Sequence, residues 1–138
     1  MAKFSVGQTA SFSKTITEKD VATFAEISGD KNPVHLDEAY AQQTRFGKRI
    51  AHGTLTIGLI SAVLGNQLPG HGTVYMSQSI KFLKPVYFDD TITATVEILS
   101  IRADKGIVSI KTDCTNQHGD KIAEGEAVVF HPDAKSMS

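Results

Sequence analysis

The sequence has little of several features that define other classes of protein. Its 138 residues contain one cysteine and no tryptophan. Because Cys114 is the sole cysteine, an intrachain disulfide is excluded, and no Cys-x-x-Cys pair offers a zinc signature. This cysteine usage is typical of a reducing compartment, and we expect a cytoplasmic protein.

Charge of one sign and long hydrophobic runs are also missing. Fourteen Lys and Arg against 15 Asp and Glu give a net charge of −1, so nothing predicts binding to nucleic acid or to an anionic membrane. The longest apolar run, around residues 55–64, is too short to span a bilayer, and the first residues lack the apolar core of a signal peptide. We expect one domain over residues 1–138, with a flexible tail over about residues 131–138.

Two helices are predicted in the first third of the chain. One covers residues 18–28, because Thr17 is a natural N-cap, Asp20 stands at a capping-box position and Gly29 is a typical helix end. A shorter helix is predicted over residues 37–44.

A third helix is predicted over residues 54–68, and it is apolar on nearly every side. Such a helix is usually surrounded by protein, and Gly58 inside it suggests a close backbone contact. After this helix the hydrophobic pattern changes to period two. The alternation predicts strands in four runs and, more weakly, in a fifth, at residues 74–82, 91–98, 108–114, 123–130 and 11–16.

The order of these elements predicts an α+β fold. Short connections favour antiparallel pairing between consecutive strands, and the sheet is long enough to curl around the apolar helix. In the first of the four main strands, alternation places one set of side chains on a common face: Val74, Met76, Ile80 and Phe82.

Residues 28–35, Ser-Gly-Asp-Lys-Asn-Pro-Val-His, carry the first chemical signal. Asp30 and His35 lie in a loop framed by glycine and proline, so both side chains can project into one space. A carboxylate beside an imidazole can orient a water molecule, take a proton from it and return one elsewhere. An alternative is a purely structural turn, in which Asp30 and Asn32 bind local backbone.

Residues 50–54, Ile-Ala-His-Gly-Thr, carry the second signal, directly before the apolar helix. A helix N-terminus offers free N–H groups and a positive dipole end, and Gly53 would let a ligand oxygen approach its amide. This arrangement is typical of an oxyanion site. Alternatively, Gly53 is only a tolerated cap, and His52 is a structural histidine bonded to a neighbouring loop.

Together, the Ser-Gly-Asp-x-Asn-Pro-x-His run and the Ala-His-Gly run resemble the MaoC-like hydratases, most closely the short (R)-specific enoyl-CoA hydratases that feed polyhydroxyalkanoate synthesis. The likeness extends over about residues 6–130. It implies a single-domain hot-dog fold, with a bent antiparallel sheet around the helix at residues 54–68 and an overhanging segment at about residues 18–49. It also implies a homodimer that needs no metal or other cofactor.

The resemblance implies the addition of water to trans-2-enoyl-CoA, which gives (R)-3-hydroxyacyl-CoA. Asp30 and His35 would be catalytic, the Gly53 amide would bind the thioester carbonyl, and Asn32 would brace the loop. Three further positions correspond to a substrate pocket: Ser61, Leu64 and Val129. An ordinary core position is an equal alternative for Leu64 and Val129.

Three other functions remain open at this point. They are a hot-dog acyl-CoA thioesterase, a related hydratase acting on acyl-carrier-protein or branched acyl-CoA substrates, and a non-catalytic acyl-CoA binding module. Coenzyme A would arrive as part of the substrate, and its phosphates need cationic partners. Six side chains are candidates, with none preferred: Lys31, Arg45, Lys48, Arg49, Lys81 and Lys84.

Overall fold

The structure, a computed structural model, describes residues 3–135. Its regular elements are β1 (Thr9–Thr15), α1 (Glu18–Ser28), α2 (Pro33–Leu36), α3 (Glu38–Gln42), α4 (Gly53–Asn66), β2 (Val74–Phe82), β3 (Thr91–Arg102), β4 (Ile107–Thr115), β5 (Lys121–Phe130) and a short 3₁₀ helix (Pro132–Ala134). The five strands form one antiparallel sheet in the order β1-β3-β4-β5-β2.

The strand pairing agrees with the sequence only in part. The predicted β3–β4 and β4–β5 neighbours are confirmed. The expected β2–β3 pairing is wrong, because β2 pairs with β5 and β1 takes the place beside β3. The segment between β2 and β3 is no tight turn: the Leu83 N–H donates to the Ile122 carbonyl at 2.8 Å, and Tyr87 forms an isolated bridge with Ile50. This segment carries the chain from one edge of the sheet to the interior.

A β-bulge in β2 changes the face that was predicted for its first half. The register against β5 shifts between Tyr75 and Ser77, so that Met76 is the extra residue. As a result Tyr75 is half-buried, whereas Val74 and Met76 are 54% and 55% exposed. The expected inward position of Val74 and Met76 is therefore wrong.

Helix α4 lies against the inner face of the sheet. Its apolar side chains, including Leu59, Ile60 and Val63, are buried, and it contacts β1, β2, β3 and β4. The predicted alternation of β3 and β4 is confirmed by residues that are fully buried: Ile92, Ala94, Val96, Ile98, Val108, Ile110 and Cys114. A sheet around one apolar helix is the hot-dog fold, which confirms the predicted α+β class.

One side of α4 is open in the single chain. Gly58 and Ser61 are exposed there. A Cβ atom added at Gly58 would have no neighbour within 4 Å, so the expected close backbone contact is wrong for this position. Among the helices within residues 3–135, none has the length and apolarity to cross a bilayer.

The helices before α4 position the loop of residues 28–35. The predicted helix over residues 18–28 is confirmed, with the Thr17–Asp20 capping box at its start and Gly29 at φ 80° at its end. The helix predicted over residues 37–44 is shorter, because Asp37 caps α3 by accepting from the Tyr40 N–H at 3.1 Å. The extra turn α2 before it contains His35.

The chain end is more ordered than its polar composition suggested. His131 is buried, and its Nε2–H donates to the His71 carbonyl at 2.7 Å, while Ala134 is fully buried. The expectation of a flexible tail is therefore wrong for residues 131–135, because these side chains pack against the core. Residues 136–138 lie outside the described residues.

Candidate active site

Asp30 and His35 meet at one pocket, together with His52. Polar side-chain atoms of the three residues lie within 4.8 Å of one another. Asp30 is exposed, whereas His35 and His52 are buried, at 8% and 1% exposed. The two sequence motifs therefore meet in space, and their side chains run from the floor of the pocket to solvent.

The Asp30 loop is held by local hydrogen bonds. The Asn32 N–H donates to Asp30 Oδ1 at 3.3 Å, and the Val34 N–H donates to Asn32 Oδ1 at 3.3 Å, which caps α2. The structural turn considered as an alternative is thus present. It leaves the other carboxylate oxygen of Asp30 without a hydrogen bond to the described protein groups. The turn and a chemical role are therefore compatible.

The ring orientation of His35 is set by a backbone carbonyl. Its Nδ1 lies 2.7 Å from the Ile50 oxygen, and because a carbonyl only accepts, Nδ1 carries the proton. Burial holds the pKa of His35 below its ordinary value, and His52 also lowers it, against the opposing effects of the Ile50 carbonyl and Asp30. The ring is therefore neutral at pH 7, with a free lone pair on Nε2.

His52 lies under both candidate groups. Its Nε2–H donates to the Asp30 carbonyl at 2.8 Å, and its ring stacks on His35 with centroids 3.8 Å apart. The Phe24 ring packs against its other side, with a centroid distance of 4.8 Å. The sequence allowed a structural histidine bonded to a neighbouring loop; that contact exists, and the loop is the one that carries Asp30.

The pocket has a volume of about 360 Å³ and lies between two segments. Phe46 lines one wall, and Phe82 and Leu83 line the other. Hydrogen bonds join the walls behind the pocket: the Tyr87 hydroxyl donates to the Phe46 carbonyl at 3.1 Å. The pocket is therefore a cleft with partly apolar walls over a polar floor.

Gly53 lines this cleft as the first residue of α4. A residue at that position has no intrahelical acceptor for its N–H, and the positive end of the helix dipole lies there. A Cβ atom on Gly53 would lie 3.1 Å from the Phe82 ring, so a side chain would crowd the cleft. The site can therefore offer an amide donor to a bound oxygen.

The three residues expected to contact the acyl chain lie elsewhere in the single chain. Ser61 is exposed on the open side of α4, and Leu64 and Val129 are buried in the core. None of them lines the Asp30–His35 cleft. For Leu64 and Val129, the structure has the core position that was considered as an alternative.

The same cluster is the place to consider for a metal ion. Asp30, His35 and His52 form the single group of this kind in the part of the chain that the structure describes. However, imidazole lone pairs lie in the ring plane, and the two rings are stacked with only 27° between their planes. Lone pairs of nearly parallel rings converge poorly on one ion, so the arrangement favours proton transfer.

Comparisons with known proteins agree with this geometry. Residues 3–119 match the family of MaoC-like domains. The chain is 51% identical over 126 residues to an (R)-specific enoyl-CoA hydratase of Rhodospirillum rubrum, covering 91% of this chain and 87% of that one. It is 32% identical over 130 residues to a mitochondrial 3-hydroxyacyl-[acyl-carrier-protein] dehydratase of Arabidopsis thaliana, covering 92% and 77%.

A solved structure shows the same fold. The (R)-hydratase from A. caviae involved in polyhydroxyalkanoate biosynthesis superposes with a TM-score of 0.90 at 45% identity, over 94% of this chain and 98% of that one. The family match, the two high-coverage likenesses and the shared sheet around α4 lead to one conclusion: the chain belongs to the family of MaoC-like domains.

Proposed function

We propose that the protein reversibly adds water to trans-2-enoyl-CoA and forms (R)-3-hydroxyacyl-CoA. The observation that carries this proposal is the cleft in which Asp30, His35 and the N-terminal amide of α4 at Gly53 face one space. The 51% identical relative bears the name of this activity, which supports the same substrate class and stereochemistry here.

The Gly53 amide binds the thioester carbonyl. An N–H at a helix N-terminus stabilises the negative charge that develops on this oxygen when a nucleophile adds to the conjugated double bond. The Phe82 ring beside Gly53 excludes water from the carbonyl. Because this charge is largest in the transition state, the contact accelerates the reaction and does not merely bind substrate.

Asp30 and His35 hold the attacking water. Each offers an acceptor, a carboxylate oxygen and the Nε2 lone pair, so one water can donate to both and turn its own lone pair toward the β-carbon. Its hydroxyl joins the β-carbon, and its proton passes through the pair to the α-carbon on the same face. Neutral His35 has no proton on Nε2 at the start, so the pair must first take one from water.

No cofactor enters this reaction. Hydration neither oxidises nor reduces the substrate, and coenzyme A arrives and leaves with the acyl group. We also propose a cytoplasmic location, which fits the single, buried Cys114.

We further propose a homodimer that joins two sheets edge to edge through β2. This strand is at the edge of the sheet, and Val74 and Met76 are exposed on it. Exposed apolar side chains on a free strand edge favour pairing with another strand. A dimer mass in light scattering, reduced to a monomer mass by Met76→Lys, would support this arrangement; a monomeric wild-type protein would overturn it.

The decisive experiment follows the ultraviolet absorbance of crotonyl-CoA when the purified protein is added. Loss of the enoyl thioester band without release of free thiol is expected, with the (R) product in chiral analysis. Release of thiol would indicate the thioesterase instead, and tight binding without turnover would indicate a binding module. A higher kcat/KM for crotonyl-acyl-carrier-protein than for crotonyl-CoA would indicate the carrier-protein substrate.

A further inference from the structure

The structure separates the six cations that could meet substrate phosphates. Lys31 lies 3.0 Å from Glu26, and Arg49 lies 2.6 Å from Glu18. Lys81 faces a different depression, on the outer side of the sheet. These three are occupied or remote, and none lines the Asp30–His35 cleft.

Two of the six, Arg45 and Lys84, do line the cleft. Arg45 belongs to the turn after α3, and Lys84 to the segment after β2, so they stand on the two opposite walls. Both are exposed, whereas His35 and His52 on the floor are buried. The two charges therefore stand at the mouth of the cleft.

Their pairing with acidic groups differs. Arg45 has no salt-bridge partner in the region from residue 3 to residue 135, while the Lys84 Nζ lies 3.6 Å from Asp120. Lys48 lacks a salt bridge as well, but it lies over the Tyr87 ring at 4.6 Å and does not line the cleft. Arg45 is thus the cation at the mouth whose charge is uncompensated.

The position of Arg45 is fixed by its surroundings. Its guanidinium lies 4.9 Å from the centroid of the Phe46 ring. The turn is closed by the Thr44 hydroxyl, which donates to the Ala41 carbonyl at 2.7 Å, and is tied to the opposite wall by the bond from Tyr87 to Phe46. A guanidinium held in this way loses little freedom when it binds an anion, and its fork matches two phosphate oxygens.

We propose that Arg45 and Lys84 form an anion-binding rim that holds the phosphates of the nucleotide part of the substrate. This inference rests on the proposed function, because it assigns the carrier end of the same thioester. The acyl thioester would lie on the floor at Gly53, and the connecting arm would pass the apolar walls of Phe46 and Leu83. Arg45 contributes more than Lys84, because Asp120 offsets part of the lysine charge.

The test compares crotonyl thioesters that differ only in phosphate content. Crotonyl-CoA, crotonyl-phosphopantetheine and crotonyl-pantetheine are assayed with Arg45→Gln and Lys84→Gln. The matched control is Arg102→Gln, which removes the same charge from an exposed arginine outside the cleft, paired with Asp104 at 3.1 Å.

The expected result is a change in KM that depends on phosphate. For crotonyl-CoA, Arg45→Gln raises KM by roughly 3- to 20-fold with little change in kcat, as expected for a charge-assisted contact screened by solvent. Lys84→Gln has a smaller effect, and Arg102→Gln has none. KM for crotonyl-pantetheine is the same in all four proteins, and added salt raises the KM of the wild type more steeply than that of Arg45→Gln.

Two outcomes would overturn the rim. One is an unchanged KM for crotonyl-CoA in Arg45→Gln, and the other is an equal rise for crotonyl-pantetheine. If the wild type hydrates none of the thioesters, the proposed function fails, and calorimetry decides on the rim alone. A preference for CoA over pantetheine that is lost in Arg45→Gln then supports it, and a wild type without this preference refutes it.

Discussion

The imidazole rings of His35 and His52 stack with centroids 3.8 Å apart and 27° between their planes. His52 also donates to the Asp30 carbonyl at 2.8 Å, so one buried side chain contacts both candidate catalytic residues. A second proton on this pair would place two positive charges in van der Waals contact, which is costly in a buried site. The stack therefore holds His35 in place and favours its neutral form.

Replacement of His52 should misplace the two groups without removing either. In His52→Phe the ring is retained but the hydrogen bond to Asp30 is lost, and we expect kcat to fall by about 10- to 100-fold, as for small displacements of reacting groups. His52→Gln keeps a donor and should recover part of this loss. The acid limb of the pH profile of His52→Phe should move to higher pH, because His52 no longer lowers the pKa of His35. An unmoved limb with full activity would contradict this role.

Asp30→Asn should remove a proton acceptor and keep the shape of the loop. The amide oxygen can still accept from the Asn32 N–H, and the side chain is exposed, so the melting temperature should match that of the wild type. With crotonyl-CoA as substrate, kcat should fall by about 10²- to 10⁴-fold, the range of general acid–base catalysis. Near wild-type turnover would show that Asp30 does not take part in proton transfer.

The activity should depend on pH through His35. Its pKa lies below the ordinary value of 6.5 because of burial, so the neutral form with a free Nε2 prevails above that pH. We expect kcat/KM to be constant above this region and to fall as the pH drops through the pKa of the folded protein, up to about tenfold per unit. A rise in kcat/KM on acidification would mean that protonated His35 is the active form.

The same shift affects stability. The fold favours neutral His35 relative to the unfolded chain, so this contribution is complete above pH 6.5 and is lost as the pH falls through the folded pKa. Urea unfolding of His35→Gln should lack this part of the acid dependence. An identical dependence in the variant and the wild type would exclude His35 as its source.

Two glycines should respond to alanine in opposite ways. A Cβ on Gly125 would lie 1.9 Å from the Ser79 carbonyl oxygen of the paired strand, so Gly125→Ala should lower the free energy of unfolding by about 3 kcal/mol. Gly58 is exposed within α4 with open space around it, and Gly58→Ala should raise this energy by about 0.5–1 kcal/mol. Urea titrations measure both. A destabilising Gly58→Ala would mean that a second surface covers this side of the helix.

Removal of metal ions should leave the reaction unchanged. The pair of Asp30 and His35 supplies the proton transfers that hydration needs, and the stacked rings are poorly placed to share an ion. Dialysis against a chelator should therefore preserve kcat with crotonyl-CoA. Loss of activity that zinc or another divalent ion restores would identify the Asp30–His35–His52 cluster as a metal site.

Local chemistry made much of the fold predictable. The Thr17 capping box and Gly29 set both ends of α1, and strict alternation from Ile92 onward identified the buried face of β3. The reversed face at Tyr75 was not predictable, because a bulge depends on how two strands meet and not on the pattern of one. The pairing of β2 with β5 is likewise a property of the closed sheet.

For the site, the sequence by itself determined the chemical groups: a carboxylate and an imidazole in one loop, and a glycine amide at the start of an apolar helix. Their hydrogen-bond and turn preferences are local, so neighbouring residues are enough to reveal them. Only the tertiary structure decided that His52 lies under both groups and that Arg45, among six cations, is uncompensated at the mouth of the cleft. Those relationships join segments distant in the chain, and packing of the helices against the sheet brings them together.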